Sequence, residues 1–159
     1  MKPLLFLLTA TILSLSSTNG RAEPVTPPFF RFHTSERYSG QVAKPILRTK
    51  MDRDYRTRLN LGAQQPVNFA GHYVLTVWGC GAGCLMGAIL DARNGTVNWL
   101  PFTVCCGRDY DAEPIEFRPD STLLVIRGMR NEQGANGTFY YRYEQDSLKL
   151  IDSQPQAKN

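Results

Sequence analysis

The sequence has no long apolar run after its opening residues, only two histidines, and no cysteine before Cys80. Each shortage removes a class of function. Beyond the start, no segment stays apolar for the about 20 residues that a helix needs to cross a hydrocarbon core of roughly 30 Å, so no membrane span is expected. His33 and His72 alone cannot supply a histidine-rich zinc set. The phosphate-binding glycine loop, the zinc-protease helix and the serine nucleophile elbow are also missing. No cofactor is implied by what remains.

An excess of one charge is scarce too. The chain has 18 Lys and Arg against 14 Asp and Glu, for a net charge of +4. Lys2 and Arg21 fall in a leader described next, and without them the excess is about +2, which offers no argument for nucleic acid. Residues 23–66 carry eight basic and four acidic side chains, and the rest carries eight against ten. An acidic partner facing the N-terminal third is one reading. Solubilising surface charge is the preferred one.

What is present begins with a leader. Lys2, the apolar run Leu4 to Leu13 and the small residues around Gly20-Arg21-Ala22 have the order of a secretory signal peptide over residues 1–22. A soluble periplasmic or secreted protein is expected, with one globular domain over 23–152 and a flexible tail over 153–159. The first cysteine lies far from the expected cleavage point, so lipid anchoring is not expected.

In an oxidising compartment Cys80, Cys84, Cys105 and Cys106 are expected to form disulfides. Three pairings are open. A Cys80–Cys84 bridge closes a short loop worth about 2 kcal/mol, and a bridge from that loop to Cys105 or Cys106 closes a longer one worth about 3.5 kcal/mol. A bond between the neighbours Cys105 and Cys106 strains its ring, so cross-pairing is a serious option.

Residues 23–35 hold three prolines ahead of Phe29-Phe30-Arg31-Phe32 and read as an extended lead-in whose aromatics cover part of the core. Gln41 to Leu47 suits a short edge strand containing Pro45. Thr49 and Asp52 form a capping pair, Met51, Tyr55 and Leu59 recur every four residues, and Gly62 follows. The spacing predicts a helix over about 50–61. From Gly71 onward, short β-rich runs alternate with turns: 72–78, 85–91, 96–100, 113–117, 122–129, 138–144 and 148–151. Asn94-Gly95 predicts a tight hairpin turn, because both positions tolerate positive φ, and Pro119-Asp120-Ser121 another turn. The fold class is α+β and β-dominated: one short N-terminal helix, then an antiparallel β-meander forming a sandwich or partial barrel stabilised by disulfides.

Asn68-Phe69-Ala70-Gly71-His72-Tyr73, the loop Trp78-Gly79-Cys80-Gly81-Ala82-Gly83-Cys84 and the turn Arg118-Pro119-Asp120-Ser121 are the most unusual stretches. Over residues 45–151 the chain resembles a family of small exported bacterial proteins of unassigned activity that share these three motifs. The resemblance implies export and a common fold, and it transfers no catalytic residue. The Cys105-Cys106 pair is less typical of that family.

His72 is a candidate base or ligand, since histidine as a residue type changes charge near neutral pH. A histidine hydrogen-bonded at a strand start is the preferred reading. The Cys80–Cys84 spacing is one residue longer than the redox Cys-x-x-Cys motif, and a structural clasp is preferred over dithiol chemistry. Asp109, Asp111 and Glu113 alternate as calcium ligands would, but the run has no glycine and no further ligand, so a solvated acidic loop is preferred. Trp78, Arg108 and Tyr110 belong to the types that anchor interfaces and are taken, with His72, as candidate binding residues. The expected function is non-enzymatic binding of a protein in the cell envelope, for instance as an immunity-type inhibitor of an envelope-targeting enzyme. The alternative is an envelope-acting enzyme using His72 with a nearby carboxylate. These residues name neither the ligand nor the oligomeric state.

Overall fold

The computed structural model describes residues 28–107 and 113–156. Its strands are β1 (Tyr73–Gly81), β2 (Cys84–Asp91), β3 (Val97–Trp99), β4 (Val104–Cys105), β5 (Ile115–Phe117), β6 (Leu123–Arg130), β7 (Gln133–Glu144) and β8 (Ser147–Pro155). They form one antiparallel sheet in the order β1-β2-β4-β6-β7-β8, with β3 also paired to β2 and β5 to β6. The fold is the β-dominated one expected, and the sheet is not closed.

Alternation along the strands builds a core on each face. Leu75, Ile89, Val104, Ile115, Leu124, Ile126, Phe139, Tyr141 and Tyr143, from six different strands, share one cluster with Phe69 and Phe102. The Tyr73 and Tyr143 rings meet edge to face at 4.9 Å although β1 and β7 are well separated in the strand order. The sheet therefore curls around this cluster. On the outer face, Val74, Trp78, Met86, Ala88 and Leu90 pack beneath the helices, and Leu123, Val125 and Tyr140 pack beneath Phe29.

The expected helix forms as two pieces, α1 (Lys50–Asp54) and α2 (Arg56–Gly62), interrupted at Tyr55. The capping box of Thr49 with Asp52 is present. Its stripe differs from the expected one. Tyr55 and Leu59 face the sheet, but Met51 is 40% exposed and Asp52 is buried in its place. The Asp52 carboxylate accepts from the Trp99 indole at 2.8 Å and from the Arg48 and Thr49 N–H groups at 2.8 and 2.7 Å. An acidic side chain thus holds the inward position because three donors converge on it.

Other expectations are corrected. Residues 41–47 form no strand; only Ala43 and Ile46 reach the neighbouring chain, donating to Ala92 O and Gly95 O. Phe29–Phe32 is a turn of 3₁₀ helix rather than extended chain. The hairpin expected at Asn94-Gly95 joins β2 to β3, with Gly95 at φ +77°, but Asn94 stays out of the left-handed region. Asp91 organises a longer connection, its carboxylate accepting from the Arg93 N–H and from the Asn94 side-chain amide. The tail expected from Ser153 is instead the end of β8, with Ser153, Gln154 and Pro155 paired to Phe139, Thr138 and Gly137. Among the described residues no helix is long and apolar enough to cross a membrane.

Candidate functional site

The Asn68 to Tyr73 motif is the start of β1 and its edge. The Asn68 side chain accepts from Leu75 N at 2.8 Å and donates to Leu75 O at 3.1 Å, so it occupies the place of a neighbouring strand. Phe69 is wholly buried in the central core. Gly71 adopts φ +85°, and its missing Cβ leaves room for the Glu36 carbonyl. Its N–H donates to Pro119 O and its carbonyl accepts from Tyr38 N, so the lead-in, the β1 start and the Pro119 turn are laced together. Ser121, also in that turn and buried, donates to the carbonyls of Phe29 and Phe32.

His72 follows and is buried. Nδ1 lies 2.8 Å from Glu36 Oε2, and Nε2 lies 3.9 Å from Asp91 Oδ2. Neither nitrogen has a hydrogen-bond partner among the described residues. Arg93 joins the two carboxylates, donating to Glu36 at 3.1 Å and to Asp91 at 3.0 and 3.1 Å. Burial alone would raise the Asp91 carboxyl. The hydrogen bonds and charge of Arg93, with a smaller contribution from His72, more than reverse this and hold it below the usual carboxylate range.

Beside the imidazole, the Tyr73 hydroxyl donates to Asp146 at 3.2 Å and the Tyr143 hydroxyl donates to the same oxygen at 3.3 Å. Burial, reinforced by the negative groups nearby, pushes both phenols above the ordinary tyrosine range, so they remain donors. This end of the molecule is a packed charged network that holds the lead-in to the sheet. The expectation that His72 offers a binding surface is corrected: its ring is enclosed.

Trp78 is also corrected. It is only 7% exposed and packs under the helices with Tyr55 and Trp99, at ring distances of 5.8 and 5.7 Å. Arg108 and Tyr110, like Asp109 and Asp111, lie outside the described residues. Glu113 is exposed, and its carbonyl accepts from Arg127. Among the described residues no group of three His, Cys, Asp or Glu side chains is placed to hold a metal ion.

The cysteines pair locally, Cys80 with Cys84 and Cys105 with Cys106, and cross-pairing is absent. The first bridge clasps the β1–β2 turn. The second joins neighbours, with Cys106 in the left-handed region at φ +62°. Gly128, at φ +134°, leaves the space that the Cys105 carbonyl occupies, and the Asn136 amide donates to the Cys106 carbonyl.

The Cys105–Cys106 bridge and, through Ala82 and Gly83, the loop closed by Cys80–Cys84 border a groove of about 700 Å³. Its lining comes from the consecutive sheet neighbours β2, β4, β6, β7 and β8, with Leu85, Val104, Cys105, Cys106, Thr138 and Gln154 among the residues that border it. Arg127 also lines the groove, and its charge is already engaged by Glu116 at 2.7 Å. The lining is therefore apolar and neutral polar, with backbone exposed at Gly83 and Gly107. No protein-family model matches this chain, and no curated protein or solved structure does.

Sequence reasoning did not find the groove, because its lining comes from five strands and two turns far apart in sequence. The glycines at 83, 107, 128 and 137 are its one local signal. Glu36, Asp91 and Arg93 carried none.

Proposed function

We propose that this chain is an exported, non-enzymatic binding protein of the cell envelope, and that the groove beside the Cys105–Cys106 bridge holds its partner, a segment of another envelope protein. The observation that carries the reading is the groove itself: about 700 Å³, within the usual range of binding pockets, with walls stiffened by two short disulfide loops. Exposed glycine backbone and uncharged polar side chains suit a chain segment, whose own amides need partners and whose side chains need apolar contact. An inhibitor with this shape would receive a protruding loop of its target enzyme rather than plug the target's cleft. The leader over residues 1–22, the likeness of the three motifs to exported bacterial proteins and the paired cysteines support the compartment.

The test is capture from an envelope extract under oxidising conditions, with the native protein beside Thr138→Trp, which fills the groove from a partly exposed strand position. A partner retained by the native protein and lost by Thr138→Trp at unchanged melting temperature is expected. Equal retention by both removes the groove from the reading.

The alternative of an enzyme built on His72 has one observation in its favour, the Glu36 carboxylate 2.8 Å from the ring. It requires His72→Ala to abolish activity while stability holds. The enclosure of the ring between two carboxylates leads us to expect the reverse, a melting temperature lowered by several degrees.

A further inference from the structure

Six basic side chains lie within residues 44–61: Lys44, Arg48, Lys50, Arg53, Arg56 and Arg58, all exposed. The two acids of the same segment do not offset them outwardly. Asp52 is buried, and Asp54 pairs with Lys50 at 2.6 Å. Among the described residues the other five basic groups have no carboxylate partner. Arg53 donates to Arg48 O and Arg56 to Arg53 O, which lays these two arginines along one line of the helical layer. Standing singly among the cations are three exposed apolar side chains, Ile46 (43%), Met51 (40%) and Leu61 (50%). The rest of the chain compensates this charge, so the excess is concentrated on one layer.

We propose that this helical layer docks on an anionic phospholipid surface. Guanidinium groups match phosphate oxygens with paired donors, and a layer of them gains about fivefold in affinity per cation near an anionic bilayer. The placement of the apolar residues favours lipid over an acidic protein. Protein interfaces gather apolar side chains into a core from which charges are depleted, whereas here each apolar side chain is flanked by charge. That interleaving suits the headgroup boundary, where methionine, leucine and isoleucine reach the acyl region while arginines remain at the phosphates. The inference does not depend on the groove or its partner.

Cosedimentation of the protein with phosphatidylcholine vesicles, with and without an equal part of phosphatidylglycerol, tests it. Binding is expected only to the anionic vesicles and should vanish near 1 M salt, where the screening length is about 3 Å. The variant R48Q/R53Q/R56Q should lose roughly a hundredfold in affinity, while R48K/R53K/R56K retains most of it, and M51S/L61S should weaken binding with its salt dependence kept. Single Arg53→Gln and Arg56→Gln variants, each expected to lose about fivefold, cover the case in which the triple variant fails to fold. Equal binding to both vesicles, no binding to either, or native affinity in the Gln variants overturns the proposal. So does binding to polyglutamate without binding to vesicles, which would mark an acidic protein as the partner.

Discussion

Asp52 allows one side chain to be followed from sequence to stability. Replacing it with alanine removes the cap on the Arg48 and Thr49 N–H groups and leaves the Trp99 indole without its acceptor. Arg48 and Thr49 are exposed, so water replaces the carboxylate there and the cap is worth about 1 kcal/mol. The indole lies under the helical layer, where an orphaned donor costs about 1–3 kcal/mol. Together about 3 kcal/mol is expected, which for a chain of this length lowers the melting temperature by roughly 10 °C. The pH dependence separates the carboxylate's contribution from packing. Burial would raise the Asp52 carboxyl, but its hydrogen bonds to Thr49, Trp99 and Arg48 together hold it below the usual range. Its folded-state pKa is thus depressed, so its stabilisation is full above the ordinary carboxylate range and is lost as pH falls through the folded value. Asp91 acts in the same sense. Urea unfolding followed by tryptophan fluorescence should show Asp52→Asn clearly less stable than native at about pH 7, with a smaller deficit at about pH 2.5. An equal deficit at both pH values would show that shape, not charge, holds the position, and would refute the reasoning.

Asn68→Ala should cost about 2–4 kcal/mol, since it strips both backbone partners from Leu75 at a buried sheet edge; amide exchange at Leu75 should accelerate more than at Leu90 in the neighbouring strand. Gly128→Ala should cost about 2–3 kcal/mol, because φ +134° is strained for alanine and the new methyl group meets the Cys105 carbonyl. Calorimetry of the variant checks this, and a loss under 1 kcal/mol would mean that the groove wall yields. Non-reducing peptide mapping should recover a Cys80–Cys84 loop and a Cys105–Cys106 peptide with no cross-link between them.

The elements that were legible in the sequence are those whose signal is local. The alternation of Phe139, Tyr141 and Tyr143 against Tyr140 and Arg142 announces β7: the first three enter the inner cluster, Tyr140 enters the one beneath Phe29, and Arg142 is exposed. The Thr49–Asp52 cap announced α1. What failed depended on partners distant in the chain. β4 spans only Val104–Cys105 and exists because β2 and β6 flank it. The polar end of β8 is a strand because Gly137 to Phe139 give it a ladder. Trp78 looked like an interface anchor since nothing near it in sequence says that Tyr55 and Trp99 will enclose it. His72 was singled out correctly as unusual, but its meaning lies in Glu36 and Arg93, 36 residues before it and 21 after.

The two proposed surfaces have a geometric relation that constrains both. The helices lie over Val74, Trp78 and Leu90, on the outer face of β1 and β2. The groove is lined by Leu85 and Val104 of the inner cluster and also by Arg127 and Thr138, which alternate with Ile126 and Phe139 and so lie on the other side of β6 and β7. No residue of the helical layer lines it. The two surfaces therefore share no residue, and a bilayer under the helical layer would leave the lining of the groove free for a partner. A protein that binds vesicles and captures its partner should do both at once, and vesicle-bound protein should retain the partner as well as free protein does. Mutual exclusion would mean that one of the two surfaces has been wrongly placed.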